Sequence, residues 1–156
     1  MKTLLILVGK TTDKHFQAGI NDYVERISHY MPFEFVTIPE LKNTKNLSEE
    51  QQKTAEGELI LKQLQPSDTV VLLDEHGHEF RSIELARWLE QKRNTARRLV
   101  FIIGGPYGFS PAVYARANEQ LSLSRLTFSH QMIRLVFTEQ IYRACTIIKG
   151  EPYHHE

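Results

Sequence analysis

Three stretches carry residue types that could do chemistry. The first is Leu99 to Pro111, LVFIIGGPYGFSP. Leu99, Val100, Phe101, Ile102 and Ile103 make an apolar, branched run with the length of a fully buried strand, as in a parallel sheet. Gly104 and Gly105 stop it, and two glycines there let another backbone or a ligand come close. Ser110 and Pro111 then read as the N-cap and first residue of a helix. An open α/β sheet places its ligand at such a strand, glycine loop and helix start; the same residues would also make an ordinary tight turn. The second stretch is Leu121 to Phe128, LSLSRLTF. As a strand, Ser122, Ser124 and Thr127 would alternate with Leu123 and Leu126. Such a strand could lay its amides and carbonyls along an adenine edge, or simply turn polar residues to water. The third group is His76 and His78 around Gly77, beside Asp74 and Glu75, with His154 and His155 in the tail. Neighbouring turn residues rarely converge on one ion, and no distant third ligand is identifiable, so no metal site is expected.

Several familiar sites are missing. Neither G-x-G-x-x-G after the first strand nor G-x-x-x-x-G-K-[ST] occurs, which disfavours a dinucleotide fold or a phosphate-loop NTPase. There is no G-x-S-x-G nucleophile elbow. The chain has 156 residues, with 19 basic and 19 acidic side chains and no formal net charge. It therefore exerts no global pull on nucleic acid, and any such binding would need a local patch or a shaped partner. Candidate cations are Lys42 and Lys45 in the polar loop Glu40–Leu47, and Arg93, Arg97, Arg98 and Arg125. Cys145 is the single cysteine, which excludes an internal disulfide and a thiolate zinc cluster. The apolar run Leu4–Val8 is too short for a signal start, and no stretch approaches membrane-spanning length. A soluble, cytoplasmic protein of one domain, residues 1–156, is expected, with no membrane association.

The elements that must position these stretches alternate along the chain. Thr3–Val8, Phe33–Ile38, Thr69–Leu73, Leu99–Ile103 and Leu121–Phe128 read as strands. Asp74 to Gly77 reads as the exit turn of the third. A helical stripe from about Asp13 to Tyr30 carries Phe16, Ile20, Tyr23, Val24 and Ile27. Ser48 with Gln51 predicts a capping box for a helix to about Leu64, and Gly57 within it implies close packing. Ser82 is read as the cap of a helix bearing Leu85, Ala86, Trp88 and Leu89. A short helix runs from Pro111 to about Asn118, and Ser129 and His130 open a last one that ends at Gly150. Strands alternating with helices give an α/β class with a mostly parallel sheet flanked by helices.

IGGPYGFSP, LSLSRLTFSHQMIRLVFTEQIYRA and the terminal PYHHE together resemble the bacterial RlmH family, methyltransferases of the SPOUT class. The opening LLILVGK, EGELIL and TVVLLDEHG fit as well, so the resemblance runs nearly end to end. It implies a knotted α/β fold whose C-terminal segment forms a trefoil, which no pattern of residues would suggest. It implies a homodimer that transfers a methyl group from S-adenosylmethionine to N3 of a pseudouridine in large-subunit (23S) ribosomal RNA, on the assembled ribosome, without a metal. It places cofactor contacts on Leu73, Gly104, Gly105, Leu123, Ser124, Arg125, Leu126, Thr127 and Phe128, making LSRLTF an adenosine-binding loop. Candidates for substrate binding or catalysis are His130, Arg134, Arg143, Tyr153 and His154, with the tail folding over the pocket. Where many relatives end in Tyr-His followed by Arg or Lys, this chain has His155, one fixed charge fewer. The alternatives are a non-catalytic ribosome- or RNA-binding module that kept the knotted fold, and a nucleotide-dependent oxidoreductase.

Overall fold

The computed structural model describes residues 2–156. Strands β1 (Lys2–Val8), β2 (Phe33–Ile38), β3 (Thr69–Glu79), β4 (Arg98–Ile103) and β5 (Glu119–Ser122) form one sheet in the order β2-β1-β4-β3-β5, and every pairing is parallel. Helices α1 (Lys14–Ser28), α2 (Glu49–Lys62), α3 (Ser82–Thr95), α4 (Pro111–Arg116) and α5 (Met132–Lys149) cover it. No described helix is long and apolar enough to cross a membrane.

Alternation along the strands builds two cores. Leu5, Leu7, Val71, Phe101 and Leu121 point to the side of α1, α3 and α5, where they meet Ile27, Leu89, Phe137 and Ile141. Leu4, Ile6, Val70, Leu72, Val100 and Ile102 point to the side of α2 and α4, against Ile60 and Val113. This two-sided burial is why the strands read as unbroken apolar runs. The caps expected at Ser48 and Ser110 are present, and α1 has a further one at Asp13. Asp13 accepts from the amides of His15 and Phe16 at 2.8 and 3.2 Å. Ser48 and Gln51 close a reciprocal box, and Ser110 Oγ accepts from Val113 N. Gly57 is buried because α2 meets α4 there: a Cβ would run into the Ser110 and Val113 side chains.

Four boundaries differ from the sequence expectation. The helix after β3 begins at Ser82 with Arg81 as its cap, because Glu84 reaches back to accept from Arg81 N at 2.8 Å. Helix α4 stops at Arg116 because Asn118 turns into the sheet: its Oδ1 accepts from Val70 N and its amide donates to Val70 O. The strand expected over Leu121–Phe128 ends at Ser122. There Ser124 turns the chain, its Oγ accepting from Leu126 N at 3.0 Å and its carbonyl accepting from Ser122 Oγ at 3.0 Å. Short hydroxyl side chains compete with the ladder in this way. Finally, Asp74–Gly77 does not end β3. Leu73 and His78 both pair with Leu121, so the intervening residues loop outward and the strand resumes.

Gly77 sits where that excursion returns. A Cβ on it would lie 2.7 Å from Gln120 C and Leu121 N, both backbone atoms of β5 that cannot swing aside. Gly77→Ala is therefore expected to cost about 1–3 kcal/mol, the range of overpacking. Thermal denaturation should show a melting temperature lower by roughly 3–10 °C; an unchanged value would mean that β5 gives way freely.

Candidate active site

The carboxyl ends of β3, β4 and β5 surround a cleft of about 460 Å³. Three loops make its walls: Leu73–His76 from β3, Gly104–Phe109 from β4, and Leu121–Phe128 with His130 from β5 onward. Each loop has a local reason for its shape. Asp74 Oδ1 accepts from His76 N at 2.8 Å, which starts the outward excursion of β3. Gly104 is needed for close approach, since a Cβ would lie 2.9 Å from the Phe109 ring, and Gly105 has the Glu56 carboxylate at the same distance. The left-handed turn falls on Gly108, with φ +83°, rather than on the adjacent pair. Ser124 shapes the third loop, leaving Leu126 three-quarters exposed at the mouth.

The cleft has a distinct electrostatic character. Asp74 and Glu75 line it, and no lysine or arginine does. Tyr114 donates its hydroxyl to Asp74 Oδ2 across the wall. Burial and that carboxylate push the Tyr114 phenol up to about 12, so it stays protonated. With two carboxylates and no fixed cation in its lining, the cleft attracts cationic ligands and repels phosphates. Behind the glycine loop, burial and then Glu40 raise the Glu56 carboxyl above its ordinary value.

Of the residues expected on a cofactor, Leu73, Gly104, Gly105, Leu123, Ser124, Leu126, Thr127 and Phe128 all line this cleft. Arg125 does not: it points into solvent, 3.6 Å from Glu79. Among the candidates for substrate or catalysis, only His130 reaches the cleft. It lies in a turn before α5 rather than opening the helix, because Ser129 Oγ accepts from Met132 N and the helix starts at Met132. Arg134 is enclosed, with no exposed surface, and donates to Val8 O at 2.6 Å, Gly9 O at 2.9 Å and Thr11 Oγ1 at 2.9 Å. It does not line the cleft; from its enclosed position the guanidinium satisfies the carbonyls at the end of β1.

Arg143, Tyr153 and His154 form a separate cluster, organised by a residue that spacing alone did not single out. Glu139 Oε1 accepts from Arg143 Nη2 at 2.8 Å and from Tyr153 OH at 2.9 Å. Arg143 Nη1 lies 3.1 Å from His154 Nδ1, and its guanidinium sits over the Tyr153 ring. Burial and then Glu139 hold the Tyr153 phenol well above its ordinary value. The tail thus lies along α5 instead of folding over the chain's own cleft, and Tyr30 OH donating to Glu151 at 2.7 Å pins its start to the end of α1. Of the other arginines, Arg98 is committed to Asp68 and Arg93 donates to Tyr30 O, while Arg97 and Arg125 are exposed. Among the described residues no group of His, Cys, Asp and Glu is placed to hold a metal. Tyr107, Phe109 and Tyr114 in the cleft wall were missed; the aromatic spacing after the glycines was the available signal.

Residues 1–154 match a family described as "Predicted SPOUT methyltransferase". The chain belongs to the SPOUT methyltransferase family. Within it, the chain is 64% identical over 157 residues to the Ribosomal RNA large subunit methyltransferase H of Phocaeicola vulgatus, covering 100% of each chain. It is equally close to the protein of that name in Bacteroides fragilis, again 64% identical with 100% of each covered. The Porphyromonas gingivalis protein of that name is 55% identical, also over 100% of each chain. The resemblance seen in the motifs is thereby shown across the full length. The glycine loop and the Ser124 loop of this SPOUT methyltransferase are the two longest walls of its cleft.

Proposed function

We propose that the cleft binds S-adenosylmethionine and that this protein methylates N3 of a pseudouridine in large-subunit (23S) ribosomal RNA. The observation that carries the cofactor assignment is the lining: apolar and glycine surface for a nucleoside, two carboxylates, and no fixed cation. A nucleoside bearing a sulfonium and an amine suits it, whereas the phosphates of a dinucleotide would meet Asp74 and Glu75, which argues against the oxidoreductase reading. When bound, S-adenosylmethionine supplies an electrophilic methyl group for in-line displacement. The chain's part is to orient that methyl group, and holding the reactants in line is worth up to several of the roughly 7–11 kcal/mol available from positioning.

The N3 proton of the uracil ring is weakly acidic, so a proton acceptor or a cation beside the developing anion speeds transfer. His130 stands at the cleft. The cluster Glu139–Arg143–Tyr153–His154 holds a cation, a phenol and an imidazole together on α5 and the tail. Since the tail does not reach its own cleft, using both sets requires a second copy of the chain, and a homodimer is part of this reading. So is the trefoil, with the segment from β5 through α5 threading the chain as in other SPOUT proteins, in one catalytic domain.

The test is methyl transfer by purified protein from labelled S-adenosylmethionine to ribosomes, subunits and naked RNA from cells lacking the gene, with the modified base mapped by mass spectrometry. Methylation of N3 of one large-subunit pseudouridine is expected, best on the assembled particle. Cofactor binding with no transfer would move the acceptor elsewhere; no cofactor binding would leave a ribosome-binding module.

A further inference from the structure

The cleft's third wall, residues 123–130, runs from β5 to α5 without joining the sheet. Inside it, Ser124 Oγ and Ser129 Oγ accept from nearby amides, the Ser124 carbonyl accepts from Ser122 Oγ, and the exposed Arg125 lies 3.6 Å from Glu79 at the end of β3. Its exit, however, is tied to a different part of the molecule. Gln131 Oε1 accepts from Thr12 N at 2.8 Å, and Gln131 Nε2 donates to Lys10 O at 3.2 Å. One turn on, Arg134 donates to Val8 O, Gly9 O and Thr11 Oγ1. Five hydrogen bonds from two side chains therefore lace the start of α5 to the loop that follows β1. Neither side chain lines the cleft, yet His130 and Ile133, immediately around them in the chain, both do.

We propose that Gln131 and Arg134 are positioning residues for methyl transfer, fixing the 123–130 wall in its binding shape by anchoring its exit to residues 8–12. This rests on the reading that the cleft holds S-adenosylmethionine. Arg134 is a costly way to fill space. Its guanidinium has no exposed surface, Nε has no partner among the described residues, and burial lowers its affinity for the proton against the pull of Glu40. An apolar side chain of similar volume fills such a site at least as favourably. What the arginine supplies instead is direction: three donors aimed at acceptors on a strand end that the sheet holds rigid. Gln131 adds an acceptor and a donor aimed at the next residues of the same loop. An eight-residue wall with no ladder bonds takes its shape from its ends, and this end is held by these two side chains.

Two variants spare the buried guanidinium and so preserve folding. Gln131→Ala removes two of the bonds, and Thr11→Val removes the hydroxyl that Arg134 reaches. Calorimetric titration with S-adenosylmethionine should give a Kd raised about tenfold for the first and about threefold for the second, as expected for two bonds and one. KM for S-adenosylmethionine should rise in step while kcat stays within about twofold. Gln131→Glu, which keeps the acceptor for Thr12 N, should be intermediate. Hydrogen exchange without any ligand should show faster exchange in residues 123–130 of Gln131→Ala, with β1 amides as protected as before. Unchanged exchange in that wall together with an unchanged Kd overturns the proposal, as does a fall in melting temperature with the wall still protected. Failure of the unmodified chain to bind S-adenosylmethionine would refute the cleft assignment, while the exchange comparison would still decide whether Gln131 holds the wall.

Discussion

Gly104→Val is expected to weaken S-adenosylmethionine binding by about 5- to 150-fold in a protein that still folds cooperatively. A Cβ at this position would sit 2.9 and 3.1 Å from two atoms of the Phe109 ring, closer than side chains pack. Phe109 is buried against Ile102 and Val113, so the ring has no free volume to retreat into on that side. The open side is the cleft itself, which both residues line. Strain of the usual overpacking size, about 1–3 kcal/mol, is then relieved by moving the wall into ligand space, and that range converts to the stated loss in affinity. Calorimetric titration checks it, with thermal denaturation as the control. Binding as tight as that of the unsubstituted chain would mean that the ligand does not approach the end of β4.

Asp68→Ala should destabilise the fold by about 3–5 kcal/mol and leave cofactor affinity unchanged below the transition. The Asp68 side chain is fully enclosed and accepts from Arg98 Nε at 2.8 Å, from Arg98 Nη2 at 2.6 Å and from Gln65 N at 2.7 Å. Removing the acid strands a guanidinium with only 17% of its side chain exposed, and an unpaired charge in such a place is the expensive outcome. For a domain of this size the melting temperature should fall by roughly 6–20 °C. The pair lies where β3 and β4 begin, at the opposite end of the sheet from the cleft, which is why binding should be spared. Burial acts to raise the Asp68 carboxyl, but the Arg98 hydrogen bonds, the Gln65 amide and the nearby Arg98 and Arg116 charges together hold it below its ordinary 3.8. Because the folded value is the lower one, the pair's contribution is fully present well above the ordinary value and is lost as the pH falls through it toward the folded value. Chemical denaturation at a series of pH values should therefore show the difference between the two proteins shrinking only in acid. A difference that faded instead between pH 6 and 8 would assign the effect to another group.

Much of the frame is readable from local chemistry. The branched apolar runs at Leu4–Val8 and Leu99–Ile103 announce strands covered on both faces, and the caps at Ser48 and Ser110 set helix starts through bonds spanning three residues or fewer. The glycine pair, and the hydroxyl-rich stretch once its family resemblance is noticed, mark two cleft walls. Pattern alone fails where a side chain bonds to its own backbone: Ser124 ends β5 early, and Asp74 turns a strand outward without ending it.

The sequence by itself therefore determined the α/β class, most element boundaries, the family, and which residues would gather at the strand ends, because each depends on near neighbours or on motifs that follow one another in order along the chain. Only the tertiary structure decided what the polar residues of α5 do. His130 and Arg134 are four apart on paper, yet one faces the cleft and the other is sealed under the loop after β1, more than 120 residues away in sequence. Arg143 and Tyr153 converge on Glu139, and His154 joins them through Arg143, away from the cleft. Those outcomes depend on which carbonyls and carboxylates the fold leaves buried and unpaired, and a buried acceptor finds its donor by distance in space, which residue order does not record.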